Sequence, residues 1–552
     1  MQQMTPLKRL WNLIITDRSD VIAIYFYAIL SGLVQLSLPL GIQSIVGFVL
    51  GASLVTSVYV LIFLVVSGVA AVGIMQINQM KIIEKIQQKI FTRYALEFAD
   101  TIPRFDLVKT DEYYLPEKVN RFFDTLSVQK GFSKLLLEVP IASIQIVFGL
   151  LLLGLYHQAF IIFGVAMLLV LWAIFRFTGN NGLTSSLTES IHKFKTVAWL
   201  QEMARVITPF KISHGTNLNL HRTDENVTNY LNARTAHFKV LKVQYRSLVV
   251  FKVFITAAML IIGTVLLLEQ QLNIGTFVAA EIVILTVISA VEKLIINLEN
   301  VYDVATGLVK IATVTENLDE TNGKNALHDQ RIGFDLVNFS FGFNNDKQIF
   351  NNINLSITAG SLAWVSTKKG TGKSVFLKVL GGFYKSFEGT FLINKIPFNN
   401  YQLQDYRSKV GMYLGKQDVF IGTVWENIIM GREHITLQEI TETAEKAGIS
   451  DFLETLPEGF DTMVDPNGKN LTSRHRRNIL LLRALLNQPK LLLLEDPWEG
   501  MEPQSKSKMI QYLASKPNNA TVIIATNDDA IKNLCDYQIE LTHGTLTSIK
   551  NN

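Results

Sequence analysis

Cysteine is almost missing from this chain: Cys535 is the only one among 552 residues. That excludes an intrachain disulfide framework and leaves Cys535 as an expected buried apolar filler. A strong charge of either sign is missing too. The net charge of +4 is too small to argue for a nucleic-acid partner. A cleavable leader is not evident, because Met1 to Asp20 carries charges throughout and lacks a small-residue cleavage site after a short apolar core. The N-terminus is therefore expected to stay cytoplasmic. No internal repeat or low-complexity tract interrupts the chain, and no room for a leader-cutting protease module is expected ahead of the first apolar run.

What is abundant is apolar sequence, unevenly placed. The chain is 49% hydrophobic with a mean hydropathy of +0.25, and the excess falls before residue 300. Apolar runs long enough to cross a bilayer as helix, about 17–25 residues each, lie near 21–45, 54–77, 137–156, 159–177, 248–268 and 274–295. The connections after the first, third and fifth runs are short and lack Lys and Arg. Those after the second and fourth are long and basic, with Lys81, Lys85, Lys89 and Arg93 in one and Arg176, Lys193 and Lys195 in the other. This alternation places both termini in the cytoplasm. The two long connections read as helix continuing the spans, since Lys81, Lys85 and Lys89 share a face beside Ile82, Ile86 and Ile90. Met4 to Ile15 has the composition of a helix lying in the interface, or else of an ordinary start to the first span. Lys252 and Glu281 fall inside the last two runs, where charge is costly; they either pair or face a transport path, or they snorkel to an interface.

After a polar joint at 316–330 the pattern changes to short strands and soluble helices. Two domains are expected, 1–325 in the membrane and 326–552 globular. The globular part contains Thr367-Lys368-Lys369-Gly370-Thr371-Gly372-Lys373-Ser374 between a strand-like and a helix-like segment. Such a loop closes backbone N–H groups on phosphate oxygens, with the lysine adding charge and the serine hydroxyl a magnesium ligand. Its first glycine is replaced by Thr367. A left-handed backbone there would cost a β-branched residue roughly 1–2 kcal/mol.

With these motifs in order from Phe334 to Thr547, the chain resembles an ATP-binding cassette (ABC) exporter half-transporter over essentially its whole length. The resemblance implies a membrane all-α domain of six helices followed by an α/β P-loop cassette, of the type that secretes peptides, toxins or lipids. It places Phe343 on the adenine, the loop from Thr367 to Ser374 on the phosphates, and Mg2+ on Ser374 and Glu495. ATP and Mg2+ are the implied cofactors. Several letters depart from the family pattern. Gly415 stands where a magnesium-sensing glutamine is usual, with Gln417 two positions on. Leu471-Thr472-Ser473-Arg474-His475 replaces the signature Leu-Ser-Gly-Gly-Gln, whose hydroxyl and amides grip the γ-phosphate held by the opposite subunit. Thr472 and Ser473 are its expected phosphate contacts, or else caps of a helix. Glu495-Asp496 inverts the usual Asp-Glu pair, so the water-polarising acid is Asp496 and is one methylene short. Asn527 replaces the histidine that touches the γ-phosphate, and Glu502 a dimer-contacting aspartate.

Both faces of the composite site are thus altered. The resemblance implies a dimer, either of two copies or with another half-transporter, in a bacterial-style inner membrane, with a periplasmic adaptor as a possible further partner and no nucleic acid. It implies ATP binding with weak hydrolysis coupled to export of an unidentified peptide-, protein- or lipid-like substrate. The alternative is a non-catalytic nucleotide-binding scaffold of an export complex.

Overall fold

The computed structural model describes residues 4–50, 56–110, 115–213, 216–316, 319–328, 331–343, 347–367, 372–415, 417–465, 471–542 and 544–550. The chain divides into two units, residues 1–104 with 113–318 and residues 105–112 with 319–552.

The first unit is all helix. An amphipathic α1 (Pro6–Thr16) is followed by α2 (Arg18–Gln35), α3 (Ser37–Leu50), α4 (Thr56–Thr101), a short α5 (Leu115–Val119) and α6 (Asp124–Tyr156). Then come α7 (Gln158–Arg205), a short α8 (Ile207–Ile212), α9 (Leu218–Leu268) and α10 (Ile274–Thr315). Among the described residues, six helical stretches are long and apolar enough to cross a membrane. The first is made of two helices, α2 and α3, with a turn at Leu36. The helices α4, α7 and α9 run 46, 48 and 51 residues, far beyond the ~20 residues a bilayer needs, so the long polar connections are helical extensions of the spans. Ile86 and Ile90 on α4 are buried, while Lys85 and Lys89 reach Asp20 at 3.1 and 2.6 Å and Arg93 reaches Asp17 at 3.1 Å. Asp17 also marks the break between α1 and α2. The helix α1 leaves Leu7, Trp11 and Ile15 exposed, a stripe at helical spacing that suits an interface. Lys252 does not pair with Glu281: its partner is Glu292, three turns further along α10.

The second unit is an α/β domain. Its strands are β1 (Phe334–Phe343), β2 (Lys347–Ile357), β3 (Leu362–Thr367), β4 (Glu388–Ile393), β5 (Ile396–Pro397), β6 (Val410–Tyr413), β7 (Gly422–Thr423) and β8 (Met463–Val464). They continue with β9 (Leu491–Glu495), β10 (Thr521–Ala525), β11 (Tyr537–Thr542) and β12 (Thr545–Lys550). The central sheet has the order β12-β11-β3-β10-β9-β6, parallel except for β12. An antiparallel sheet, β2-β1-β4-β5, lies beside it in the order, and β7 pairs with β8. The helices are α11 (Lys373–Leu380), α12 (Leu403–Ser408), α13 (Val424–Ile429), α14 (Leu437–Lys446), α15 (Asp451–Glu454), α16 (Ser473–Leu485) and α17 (Pro503–Ala514). Leu491 to Leu494 and Val522 to Ala525 are fully buried, as continuous apolar strands in a sheet covered on both faces must be.

Residues 319–325, expected in the membrane half, pack with the cassette instead. Gly323 and Asn325 donate backbone hydrogen bonds to Tyr401 and Asn400 at 3.0 and 2.8 Å, and Arg407 holds Glu320 by two bonds of 2.6 Å. Residues 105–112 join the same unit: Phe105 bridges to Asp319 and Leu107 and Val108 pack on the cassette core. Cys535 is buried, and burial pushes its thiol up to about 12.

Candidate functional site

Parallel strands aim their C-terminal ends at one edge of the sheet, where ligands of open α/β folds bind. Here that edge gathers the ends of β3, β10, β9 and β6. The strand β3 ends at Thr367 in extended backbone, so the anticipated cost of a left-handed threonine does not arise. Lys368, Lys369, Gly370 and Thr371 lie outside the described residues. The loop re-enters at Gly372, with φ +99°. A Cβ there would meet Ile349 Cγ2 at 3.0 Å and the Phe350 ring at 3.3 Å, so both conformation and space call for glycine.

Gly372 starts α11, which presents Lys373 and Ser374 toward the end of β9. Lys373 Nζ donates to Asp496 Oδ2 at 2.7 Å, and Ser374 Oγ donates to Glu495 Oε1 at 2.6 Å. The other Glu495 oxygen accepts the Gly415 N–H at 3.3 Å. The inverted acids are thereby shared out. The longer Glu495 spans the serine hydroxyl and the end of β6, and the shorter Asp496 neutralises the lysine. Asp496 has φ +45° and donates its own N–H to Ala525 O at 3.0 Å, a left-handed turn that aspartate tolerates better than most side chains. From the end of β10, Asn527 Oδ1 accepts the Thr367 N–H at 3.0 Å, which leaves its amide hydrogens to donate elsewhere.

Gly415 occupies the place beside Glu495, and Gln417 does not replace it. The Gln417 side chain folds back on its own strand, accepting from Leu414 N at 3.1 Å and donating to Met412 O at 3.3 Å. Among the described residues, no heavy atom outside its chain neighbours lies within 4 Å of a Cβ added at Gly415, so crowding by those residues does not dictate the missing side chain.

The structure brings Thr367, Gly372, Lys373, Ser374, Gly415, Glu495, Asp496 and Asn527 together. Phe343 is edge-on to Tyr384 at 5.3 Å and to Phe341 at 5.2 Å, with Phe341 and Tyr384 stacked at 5.1 Å. Tyr384 was not singled out by its sequence surroundings; an aromatic four residues past α11 carries no period or spacing that marks it. Thr472 caps α16. Its hydroxyl accepts from His475 N at 3.2 Å while its N–H donates to His475 Nδ1 at 3.4 Å, a reciprocal capping box. Ser473 is the first residue of that helix. Arg474 lies 3.6 Å from both Asp451 and Glu502.

A hard-oxygen pair such as the Ser374 hydroxyl and Glu495 carboxylate fits a magnesium ion, which is held in phosphate sites by one or two carboxylates, waters and the substrate. Lys373 and the N-terminus of α11 fit phosphate oxygens. The donor set therefore matches a nucleoside triphosphate with its metal.

Residues 350–499 match the family model described as ABC transporter. Among curated relatives, ABC transporter B family member 21 of Arabidopsis thaliana is 33% identical over 218 residues, 39% of this chain and 17% of that protein. A probable ABC transporter ATP-binding/permease protein of Haemophilus influenzae is 29% identical over 39% of each. An uncharacterized ABC transporter ATP-binding protein of Bacillus subtilis is 27% identical over 52% of this chain and 48% of its own length. The matches thus span less than half the length of each of these relatives. A solved bacterial Atm1-family ABC exporter with ATP bound superposes with a TM-score of 0.83 at 17% identity, covering 96% of this chain and 94% of that one. Residues 350–499 thus match an ABC transporter cassette, and the chain as a whole, with six apolar helical stretches among its described residues, has the fold of that exporter structure.

Proposed function

We propose that this protein is a membrane-embedded subunit of an ABC exporter that uses ATP binding, with slow hydrolysis, to switch its helical domain and export a substrate of peptide, protein or lipid-like chemistry. The observation that carries this reading is the pairing of Lys373 with Asp496 and of Ser374 with Glu495 at the sheet edge. Phosphate entering the loop exchanges with Asp496 for the lysine, and Gly372 lets the backbone approach. Lys368, Lys369, Gly370 and Thr371 complete the loop's contact with phosphate, and Phe343 supplies the adenine-stacking face. Ser374 and Glu495 hold Mg2+, which when bound neutralises the β- and γ-phosphate charge. Asp496 polarises water, and Asn527 donates to the γ-phosphate in the place of a charged imidazole. Thr472 and Ser473 face the nucleotide on a second subunit, the partner being another copy or another half-transporter. The site of action is the inner membrane, with both termini cytoplasmic and a periplasmic adaptor as a further partner.

Hydrolysis is slow in this reading because catalytic groups displaced by about 1 Å can cost on the order of 100-fold in rate. A second reading, a nucleotide-binding scaffold, is favoured by one observation: Thr472, the phosphate contact on the signature face, is engaged in capping its own helix. ATP turnover and ATP binding by the full chain in nanodiscs, with Lys373→Ala beside it, separate them. Low turnover that Lys373→Ala abolishes is the expected result. Binding that Lys373→Ala abolishes, with no turnover in either protein, would establish the scaffold instead.

A further inference from the structure

A cavity of about 600 Å³ opens between α9 and α10. Its wall on α9 is one helical face, because Arg234, Phe238, Lys242 and Arg246 recur every fourth residue, with Tyr245 beside them. The wall on α10 is Ile295 and Ile296, with Glu299 one turn beyond. Three cations and one carboxylate therefore face the same space.

The cations are not equivalent. Arg234 is held by Glu189 at 3.3 Å. Lys242 and Arg246 have no ion pair or hydrogen bond among the described residues, and Glu299 alone does not neutralise both. The level of the cavity is set by sequence. The apolar run of α9 begins at Leu248 and that of α10 ends at Ile295, and each is about 30 Å long at ~1.5 Å per residue. Arg246 and Ile296 thus sit at the boundary of the hydrocarbon, at the end from which the chain continues to the cassette. Tyr245 and Phe238 are 56% and 55% exposed, and the stripe continues into the span through Val249 and Val253, also exposed. The Tyr245 ring at this depth, unneutralised cations above and an apolar track below match a molecule with an anionic head and acyl chains.

We propose that this cavity binds an anionic phospholipid, its phosphate on Lys242 and Arg246 and its chains along Tyr245, Val249 and Val253. A soluble phosphate would use the two cations and ignore the apolar track, which distinguishes the two sources of the same head chemistry.

The test uses the full chain, delipidated in detergent and then given phosphatidylglycerol, phosphatidylcholine or glycerol phosphate, with retained lipid read by native mass spectrometry and melting temperature read in parallel. Phosphatidylglycerol is expected to stay bound and to raise the melting temperature, and phosphatidylcholine and glycerol phosphate to do neither. The double variant Lys242→Gln/Arg246→Gln is expected to lose both effects while melting as the parent does in phosphatidylcholine. Lys239→Gln, the loss of one charge at an exposed position of the same helix outside the cavity lining, keeps them, whereas Lys242→Gln or Arg246→Gln alone weakens them. Equal retention of both lipids, a matching effect of glycerol phosphate, an equal loss in Lys239→Gln, or retention undiminished in the double variant would each overturn the proposal.

Discussion

At the scale of single residues, the proposed function rests its chemistry on the inverted acids at the end of β9. Glu495 reaches the Ser374 hydroxyl directly at 2.6 Å, so the two oxygens assigned to Mg2+ in the proposed function are in contact with each other. Asp496 is correspondingly short and is drawn to Lys373 at 2.7 Å. Exchanging the two, Glu495→Asp/Asp496→Glu, is expected to raise ATP turnover on the order of 10- to 100-fold, since it corrects a displacement of about 1 Å. The exchange has a structural cost as well. Position 496 has φ +45°, where a residue other than glycine, asparagine or aspartate is strained by about 1–2 kcal/mol, so the faster variant should melt at a lower temperature. Steady-state phosphate release and a thermal melt on the same preparation check both halves. Unchanged turnover with intact ATP binding would show that the acids do not limit the rate and would point to Asn527 or the signature instead.

At the scale of elements, α16 illustrates how a departure from a motif becomes a local structure. Its capping box uses His475 Nδ1 as an acceptor, which requires a neutral imidazole. Burial, with a smaller contribution from the Arg474 charge, lowers the pKa of His475 below its usual 6.5. The sign follows: the unfolded chain binds the proton more readily, so the contribution is fully present above pH 6.5 and is lost as pH falls through the lower, folded pKa. His475→Gln, which can still complete a capping box, is expected to remove that part of the acid sensitivity. Melting temperatures of the full chain and the variant should separate as pH falls below 6.5, the parent falling further. Parallel curves over that window would rule out the imidazole as the source.

Local features of this kind were legible in the sequence because every partner lies within a few residues. The glycine-lysine-serine turn into α11 belongs with them. Contacts between distant segments were not legible. The long apolar runs fixed which helices exist but not which faces meet, so Lys252 found Glu292 rather than Glu281. Nor does any composition shift mark residues 105–112 or 319–325, whose place in the second unit rests on backbone pairing such as Phe105 with Asp319. The environment of Gly415 is a third case, because its partner Glu495 is 80 residues away.

At the scale of the whole molecule, the proposed function makes each nucleotide site a joint product of two subunits, the phosphate loop of one and the signature of the other. In this chain both surfaces depart from the family pattern. Arg474 extends the departure, since its guanidinium lies between Asp451 and Glu502 with all three side chains well exposed, where a glycine would present only backbone. Two complementary repairs test the arrangement. One copy carries Glu495→Asp, Asp496→Glu and Asn527→His, and the other carries Thr472→Ser, Ser473→Gly and Arg474→Gly. Purified through two different tags, the mixed dimer contains one site repaired on both surfaces and one altered on both. If the subunits close head to tail, its turnover should exceed that of either repaired homodimer, in which every site keeps one altered surface. The gain should be on the order of 50-fold, because a preorganised donor aimed at the γ-phosphate is typically worth 100-fold or more when fully restored and one of the two sites benefits. A mixed dimer that works at the mean of the two homodimer rates would mean that the repaired surfaces never meet across the subunits. In that case the phosphate loop would act within its own chain, leaving the signature helix with its capping role alone.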